Sequence, residues 1–408
     1  MKYLITLLII LFSITKSSYS QDLNDSISAE LVEIMKTSGI PGLGVAIVSI
    51  DSVFYLNGFG NADIETGKPY TENTLQNIGS VSKTFIAVAL MQLIEQGKIQ
   101  LDNNINDYLP FRVVNANFPD SLITVRMLAA HTGGLTDGKD EMLIERSYLL
   151  SEKTNFKKED LPEGYFELFE IYNSNVPLTL EKFLFNFYSP EGDWYESSNF
   201  LKVPPGFKYN YTNAGATLLA FIIEQVSDES FDEYTRKHIF EPLKMDNTHW
   251  SYENADSNNF ASLYMSNKTK IPHYSLITYP DGGLVTSVKD LSIYLKEMIK
   301  GINGESKLLS QESFKEMMSN QLTEGNFPNG NFEVNKGLIW DVNKDGDNIG
   351  MNGADPGIFT YVLFTTSGDI GIIIFNNISF YEIESFEKDF KEIRKILMSN
   401  AGKFIKRN

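Results

Sequence analysis

The stretch that decides the fold runs through residues 78–91 and reads IGSVSKTFIAVALM. It places Ser80 at the start of a predicted apolar helix and Lys83 three residues later. Side chains at positions i and i+3 are neighbours on a helix surface, so the Lys83 amine can reach the Ser80 hydroxyl. The helix N-terminus adds a partial positive charge where an oxyanion would form. Because a neighbouring amine can activate a serine in a dry pocket, this stretch predicts a nucleophilic serine.

The Ser-x-x-Lys spacing alone is weak evidence, because it occurs three times in the chain. The copies begin at Ser13, Ser80 and Ser385, of which the first lies in the leader and the last in a predicted charged helix. Of the three, the middle copy follows a glycine and opens a long apolar helix. A helix N-cap followed by a surface lysine is the structural alternative for that copy.

The first twenty residues have the pattern of a secretion signal. Lys2 supplies the positive n-region, residues 4–14 form a mostly apolar core, and residues 18–20 offer small side chains at a cleavage point. The apolar core is too short to span a bilayer. We therefore expect a secreted or periplasmic protein with no stable membrane insertion after signal removal.

Composition argues against several classes of function. The chain contains no cysteine, which removes disulfides, cysteine nucleophiles and thiolate metal sites. Its net charge of −18 argues against nucleic-acid partners, which need a basic surface. The histidines lack metal-ligand spacing, so we expect neither a metal nor another cofactor. They are His131, His238, His249 and His273.

The order of predicted elements indicates an α/β (α+β) architecture. Strand patterns lie near both ends of the chain, and helical patterns fill most of the region between them. A helical pattern also closes the chain at 380–400. The predicted strands form a hairpin within 43–60 and lie at 338–342, 358–366 and 370–376.

Strands at both termini with helices between them predict one domain built from both ends of the chain. This α/β domain comprises residues 21–79 plus 275–408. It holds an inserted helical domain at residues 80–274. Within that domain, residues 137–201 form an aromatic-rich insertion.

A second motif lies about 130 residues after Ser80. Residues 204–215 read PPGFKYNYTNAG and contain the Tyr-x-Asn pair Tyr211 and Asn213. The same spacing begins at Tyr55 and at Tyr252, so context must separate the copies. The Pro-Pro-Gly lead-in and the helix predicted directly after it distinguish Tyr211.

In this order and spacing the chain resembles the serine β-lactamase and penicillin-binding-protein superfamily, specifically its class C-like branch. Three further segments resemble the family outside its catalytic motifs: 125–135 (VRMLAAHTGGL), 239–245 (IFEPLKM) and 279–287 (YPDGGLVTS). The resemblance spans roughly residues 40–377. It implies a β-lactamase/transpeptidase-like fold, with an antiparallel sheet flanked by helices and an inserted all-helical domain.

The resemblance implies a role for each motif residue. Ser80 would be the acylated nucleophile, and Lys83 would take its proton. Burial and nearby positive charge should therefore depress the pKa of Lys83. Tyr211 would carry a proton to the leaving group and activate the hydrolytic water, its phenolate favoured by the Lys83 ammonium. Asn213 would hold the lysine and the substrate amide through hydrogen bonds.

The family's third motif, usually Lys-Thr-Gly or His-x-Gly on a strand beside the site, departs from its usual form here. Residues 350–354 read GMNGA, so Met351 fills the cationic position. A thioether does not bind the carboxylate of a β-lactam or of a peptide ending in D-alanine. Gly353 still lets the strand approach closely, and the Ala354 N–H can pair with that of Ser80 as an oxyanion hole. This motif predicts a substrate without that carboxylate.

Together the motifs predict an exported, cofactor-free serine hydrolase that acts on a small-molecule or peptide-like ester or amide. Two alternatives stay open. One is a true β-lactamase or D-alanyl-D-alanine carboxypeptidase. The other is a pseudo-enzyme that binds peptidoglycan and has lost turnover together with its cation.

Four other features have more than one interpretation. His131 could be the base of a Ser-His-Asp triad, but the chain has no Gly-x-Ser-x-Gly motif, and a histidine that caps a turn is favoured. Residues 341–346 imitate a calcium loop, although position twelve is Asn352 and a polar turn fits better. Asp281 either touches substrate or faces water. The 137–201 insertion either covers the site or packs on the helical domain.

Overall fold

The computed structural model describes residues 21–139, 142–327, 334–343, 345–379 and 385–405. The predicted signal, residues 1–20, lies outside the described residues. The strands are β1 (Gly42–Ser49), β2 (Val53–Asp63), β3 (Lys68–Pro69), β4 (Gln76–Asn77), β5 (Tyr148–Leu150), β6 (Leu263–Tyr264), β7 (Lys270–Ile271), β8 (Tyr274–Leu276), β9 (Val285–Thr286), β10 (Val334–Lys336), β11 (Asp341–Asn343), β12 (Asn348–Asp355), β13 (Ile358–Thr365) and β14 (Ile370–Asn376).

The main sheet is antiparallel, and its strand order is β10-β11-β12-β13-β14-β1-β2-β3. Its centre joins the two ends of the sequence, since β1 pairs with β14 on one side and with β2 on the other. Short turns connect the neighbours β1–β2 and β13–β14, as antiparallel pairing allows. The antiparallel sheet is as predicted. Strand β12, which carries the third motif, lies between β11 and β13.

Helices flank the sheet and fill the region between its two halves. A 3₁₀ turn, Gly79–Ser82, precedes α2, and a π-helical turn, Arg236–Phe240, follows α8. The α-helices are α1 (21–35), α2 (Lys83–Glu95), α3 (Val125–Ala129), α4 (Met142–Ser147), α5 (Tyr165–Ser174), α6 (Leu180–Tyr188), α7 (Asn213–Ser227), α8 (Phe231–Thr235), α9 (Glu241–Leu243), α10 (Val288–Ile302), α11 (Gln311–Met318) and α12 (Phe386–Ile405).

Both faces of the sheet are covered. Val45 and Ile47 of β1 join an apolar cluster with the terminal helices α1 and α12. Ala46 and Val48, which point to the other face, belong to a larger cluster that includes α2, α7 and α10. Because each face has its own apolar cover, every residue of β1 is buried.

Helix α2 runs through the larger cluster, and its residues 83–91 are all buried. A helix that is apolar all round belongs in a core. The sequence predicted that this helix begins at Ser80. Instead, Ser80 lies on the 3₁₀ turn, and α2 begins at Lys83. A 3₁₀ turn contains three residues, so side chains at i and i+3 eclipse, and Ser80 and Lys83 still face each other.

The strand predicted at residues 338–342 is wrong for residues 338–340, whereas Asp341 and Val342 belong to β11. The chain forms β10 and β11 there, joined by a turn at 337–340 in which Ile339 has a φ of 73°. Residues 338–340 are apolar because the turn is buried in the larger cluster. A short apolar run does not distinguish a strand from such a buried turn.

The closing helix predicted at 380–400 is observed as α12, and residues 380–384 lie outside the described residues. Across the described ranges, no helix has both the length and the hydropathy to cross a membrane. The division into domains at residues 79 and 275 stays a prediction.

Candidate active site

Three of the predicted residues meet at one oxygen atom. Lys83 Nζ donates a 2.9 Å hydrogen bond to Ser80 Oγ, and Tyr211 Oη donates one of 2.7 Å to the same atom. Lys83 is fully buried, whereas Tyr211 is 36% exposed. Tyr211 precedes α7, and α7 packs on α2. The packing of these two helices therefore joins motifs that are distant in the sequence.

The Lys83 amine is enclosed by protein. Nζ also donates a hydrogen bond to the Asp281 carbonyl oxygen. Burial lowers the pKa of Lys83, and the charges of Asp281, Asp355 and Asp137 oppose that shift. The direction is as predicted, but the cause is burial, because the neighbouring charges that act on this amine are carboxylates rather than cations. In its neutral form the amine can accept a proton.

Tyr211 is a neutral phenol in this arrangement. Burial raises the pKa of Tyr211, while its hydrogen bond to Ser80 and the charge of Lys336 lower it. We predicted that the Lys83 ammonium would favour the phenolate. Nζ of Lys83 does lie 5.2 Å from the ring centroid, but burial disfavours its charge. The cation that lowers the pKa of Tyr211 is Lys336, at 5.5 Å from the centroid.

Asn213 opens α7, where Asp137 binds it. The Asp137 carboxylate accepts hydrogen bonds from the Thr212 hydroxyl, from the backbone N–H groups of Asn213 and Ala214, and from Asn213 Nδ2. An anion is stabilised at a helix N-terminus. The Asn213 amide, predicted to hold Lys83, is instead held by Asp137 at 3.2 Å. Asp137 was missed as a site residue because it lies 75 residues before Thr212 and no spacing rule connects them.

Strand β12 passes directly beside the Ser80 turn. A Cβ on Gly353 would lie 2.0 Å from the Ile78 carbonyl oxygen and 2.9 Å from Ser80 N. A Cβ on Gly79, whose φ is 53°, would lie 2.9 Å from Ala354 N. These glycines therefore permit the close approach of the two backbones. The Ser80 and Ala354 amides therefore lie on two backbone segments that run side by side.

These groups open into a cavity of about 560 Å³, which is within the size range of small-molecule sites. Met351 lines it and is 3% exposed. The remaining lining divides into apolar, aromatic, charged and small or polar side chains. They are Leu143, Ile144, Leu276 and Phe327; Tyr148, Tyr209 and Tyr211; Lys336, Asp281, Asp341 and Asp355; and Ser80, Ser147, Asn213, Asn352 and Ala354.

The 137–201 insertion contributes to both the site and the core. Helix α4 and strand β5 supply cavity-lining residues, including Leu143 and Tyr148. Phe183 and Phe187 of α6 pack in the larger cluster. One part of the insertion therefore lines the site, and another part packs in the core.

Lys336 is a cavity residue that the sequence reasoning missed. It lies on β10, is 4% exposed and forms an ion pair with Asp341. Burial lowers the pKa of Lys336, but Asp341, Tyr209 and Tyr211 outweigh burial and raise it overall. Lys336 therefore remains charged. No motif in the sequence marks this position.

Asp355 was also missed. It accepts a hydrogen bond from the Tyr148 hydroxyl. Its Oδ2 atom lies close to Gly79 and Gly282, because a Cβ added to either glycine would be 3.2 Å from that oxygen. Burial raises the pKa of Asp355 to about 7, with the charge of Asp281 acting in the same direction. A carboxyl group beside the Ser80 turn that titrates near neutral pH is characteristic of functional sites.

The structure favours the turn-capping interpretation of His131. Its φ is 55°, its N–H donates to the Leu128 carbonyl oxygen after α3, and its Nδ1 accepts a 3.3 Å hydrogen bond from Thr212 N–H. The ring is buried and packs 4.7 Å from the ring of Tyr211. It supports the Tyr211 segment rather than contacting Ser80.

Asp281 and Asp341 have structural partners. Asp281 is 4% exposed, and its carboxylate accepts a 2.9 Å hydrogen bond from the Thr217 hydroxyl, so it does not face water. In the calcium-loop segment, Asp341 pairs with Lys336, and residue 344 is outside the described residues. Within the described ranges, no group of three or more His, Cys, Asp or Glu side chains has the geometry to hold a metal.

Comparison with known families decides the family. The sequence profile of the beta-lactamase family matches residues 27–397. The chain belongs to the beta-lactamase family. Because the match includes the segments of Ser80, Tyr211 and Met351, the predicted resemblance is confirmed.

This beta-lactamase-family chain is similar in sequence to a longer staphylococcal protein. Protein flp of Staphylococcus aureus (strain MW2) is 23% identical over 366 residues, which cover 88% of this chain and 64% of that protein. The chain thus spans less than two thirds of that curated relative's length.

Two solved structures share the fold. EstCE1, titled a hydrolase with promiscuous acyltransferase activity, has a TM-score of 0.69 at 20% identity, covering 93% of this chain and 99% of that one. The D-alanine carboxypeptidase AmpC from Burkholderia cenocepacia has a TM-score of 0.64 at 19% identity, with the same coverage of 93% and 99%. The predicted β-lactamase/transpeptidase-like fold is confirmed.

Proposed function

We propose that this beta-lactamase-family protein is an exported serine hydrolase that cleaves an ester or amide through an acyl-enzyme on Ser80. The observation that carries the proposal is the pair of hydrogen bonds that Ser80 Oγ accepts from Lys83 and Tyr211. A serine hydroxyl needs an adjacent base to become an effective nucleophile. Lys83, whose pKa burial lowers, supplies that base in its neutral form.

Acylation begins when Ser80 Oγ forms a bond to the substrate carbonyl carbon and its proton passes to Lys83. The carbonyl oxygen becomes an oxyanion that accepts hydrogen bonds from the Ser80 and Ala354 amides. Tyr211 then donates its proton to the leaving alcohol or amine as the carbon–oxygen or carbon–nitrogen bond breaks. The Lys83 ammonium returns a proton to Tyr211.

Deacylation repeats these steps with water as the nucleophile. As the water oxygen attacks the acyl carbon, Tyr211 accepts the water proton and passes its own phenolic proton to the neutral Lys83 amine. The new oxyanion uses the same two amides. Breakage of the bond to Ser80 Oγ returns the proton to that oxygen and releases the acid.

The cavity lining favours a substrate without a carboxylate. In the part of the chain that the structure describes, the charged lining comprises Lys336 and three acidic residues, and Lys336 is already paired with Asp341. Because Asp341 offsets the charge of Lys336, these groups provide little net positive charge for a substrate carboxylate. The position that carries the family's cation is occupied by the buried thioether of Met351. An uncharged acyl group suits the apolar walls.

Fluorophosphonate labelling of the purified protein, together with hydrolysis of neutral esters, tests the proposal. We expect labelling and turnover by the wild type and loss of both in Ser80→Ala. The matched control is Ser385→Ala, which removes the serine of another Ser-x-x-Lys sequence, directly before the C-terminal helix α12. Folded wild-type protein that neither labels nor turns over ester would contradict the proposal and favour the binding pseudo-enzyme.

The β-lactamase or carboxypeptidase alternative has one observation in its favour, the Lys336 ammonium in the cavity. Turnover of a chromogenic cephalosporin, or of a peptide ending in D-alanyl-D-alanine, comparable to that of neutral esters would establish it. We expect neutral esters to be preferred, because Asp341 already neutralises Lys336. Export is tested separately, by mass spectrometry of the mature N-terminus, which we expect to begin near Gln21.

A further inference from the structure

Lys336 lies beside two tyrosine rings of the site, those of Tyr209 and Tyr211. Its Nζ lies 5.5 Å from the ring centroid of Tyr211 and 6.0 Å from that of Tyr209. The side chain is 5% exposed and its counter-ion is Asp341. Burying a charged lysine costs more free energy than burying an apolar residue, so its presence here indicates a function.

The strand register relates this lysine to the position of the missing cation. On β10 and β11, Lys336 pairs with Asp341, and on β11 and β12, Asp341 pairs with Gly350. The next residue of β12 is Met351. Lys336 thus lies two strands away from Met351 at nearly the same level along the sheet, and both residues line the same cavity.

We propose that Lys336 takes the electrostatic place that Met351 has vacated, as a positioning residue that stabilises the Tyr211 phenolate formed when the leaving group takes its proton. This inference rests on the proposed function. A cation near a developing phenolate stabilises that charge most strongly in a site from which water is excluded.

The other charged groups around Tyr211 make this contribution necessary. Asp281 and Asp137 both oppose ionisation of Tyr211, and the neighbouring His131 is kept neutral because burial lowers its pKa. Lys83 is a base in the first step and cannot be a permanent cation. Lys336 is held charged by Asp341, so it can act in every step. The same ion pair leaves little free charge for a substrate carboxylate. Lys336 would therefore stabilise the phenolate without binding a substrate carboxylate, whereas the family's cation binds one.

Two esters of one acid test this role in Lys336→Met, an unbranched and uncharged replacement. A methyl ester needs a proton on its leaving group, whereas a p-nitrophenyl ester releases a stable anion. We expect kcat/KM, which reports acylation, to fall about tenfold to a hundredfold for the methyl ester and several-fold less for the p-nitrophenyl ester. The alkaline fall of the kcat/KM profile, where Tyr211 loses the proton that it donates, should move to higher pH. Lys336→Arg should retain most of the activity, and Lys336→Met with Met351→Lys should recover part of it.

Equal losses for the two esters, with an unmoved pH profile, would mean that Lys336 has a structural role and would overturn the inference. So would unchanged kinetics in Lys336→Met. If that variant does not fold, Asp341→Asn decides the question, because an uncompensated cation should shift the pH profile in the opposite direction, and an unmoved profile would contradict the inference. Wild-type and Ser80→Ala assays run in parallel test the proposed function, so its failure is distinguishable from failure of this inference.

Discussion

Tyr211 donates a 2.7 Å hydrogen bond to Ser80 Oγ across 131 residues of sequence. The Lys83 amine donates a 2.9 Å hydrogen bond to the same oxygen. The serine oxygen therefore accepts hydrogen bonds from an amine whose pKa is lowered and from a phenol whose pKa is raised. This difference assigns them different tasks, because an amine with a lowered pKa is neutral and can accept a proton, whereas a phenol with a raised pKa keeps its proton until a strongly basic leaving group takes it.

Tyr211→Phe tests that division of tasks. The variant keeps the ring but removes the proton that the leaving group takes. We expect kcat/KM for an alkyl ester to fall by about 10²- to 10⁴-fold, and by less for a p-nitrophenyl ester, in steady-state assays. Tyr209→Phe is the matched control, since Tyr209 lines the same cavity whereas the hydrogen bonds to Ser80 Oγ come from Lys83 and Tyr211. Similar losses in both variants would contradict the role of Tyr211.

The parts of the site that were predictable from sequence are those set by local geometry. Ser80 and Lys83 are one turn apart, and that spacing brings their side chains together in a 3₁₀ or an α-helix alike. Tyr211 became predictable through the order of the motifs. Lys336 was not, because a lysine on a three-residue edge strand carries no periodicity, and its contact with Tyr211 depends on tertiary packing.

The same limit applies to the fold. Strands β13 and β14 were predicted nearly to the residue because an apolar hairpin with a Ser-Gly-Asp turn has a strong local signal. The turn at 337–340 was taken for part of a strand because burial, rather than pairing, explains its apolar residues. Asp137 and Asp355 act through partners 75 and 207 residues away, and no local pattern indicates either of them.

Met351→Lys should change substrate preference. The new ammonium would enter the cavity at the family's usual cation position. We expect kcat/KM for a carboxylate-bearing ester to rise about tenfold relative to its neutral analogue, which corresponds to a typical gain from one favourable charge contact. Asn348→Lys adds the same charge on β12 away from the cavity and serves as the control. An unchanged ratio in Met351→Lys would refute the account of this position.

Asp355 should make stability depend on pH. The pKa of its folded carboxyl is raised to about 7 from 3.8, so between these values the folded protein retains a proton that the unfolded chain has released. The free energy of unfolding therefore falls as pH rises from about 4 to about 7, by on the order of 2 kcal/mol after allowance for partial exposure. Urea unfolding across this range should show a flatter profile for Asp355→Asn. The exposed Asp369→Asn should keep the wild-type slope, and a wild-type slope in Asp355→Asn would contradict the buried ionisation.

Gly353→Ala should separate the two amides of the oxyanion hole while leaving the side chains of Ser80 and Lys83 unchanged. The added methyl would lie 2.0 Å from the Ile78 carbonyl oxygen, a distance that forces β12 away from the Ser80 turn. Loss of an oxyanion-hole donor typically lowers kcat by about 10²- to 10³-fold, and we expect a loss of that size in acylation rate. Gly325→Ala is the control, because its new Cβ meets a side chain at 3.5 Å, an ordinary contact. Rapid-quench acylation kinetics and the unfolding midpoint should be measured together. A folded Gly353→Ala enzyme that acylates at the wild-type rate would exclude the Ala354 amide as an oxyanion donor.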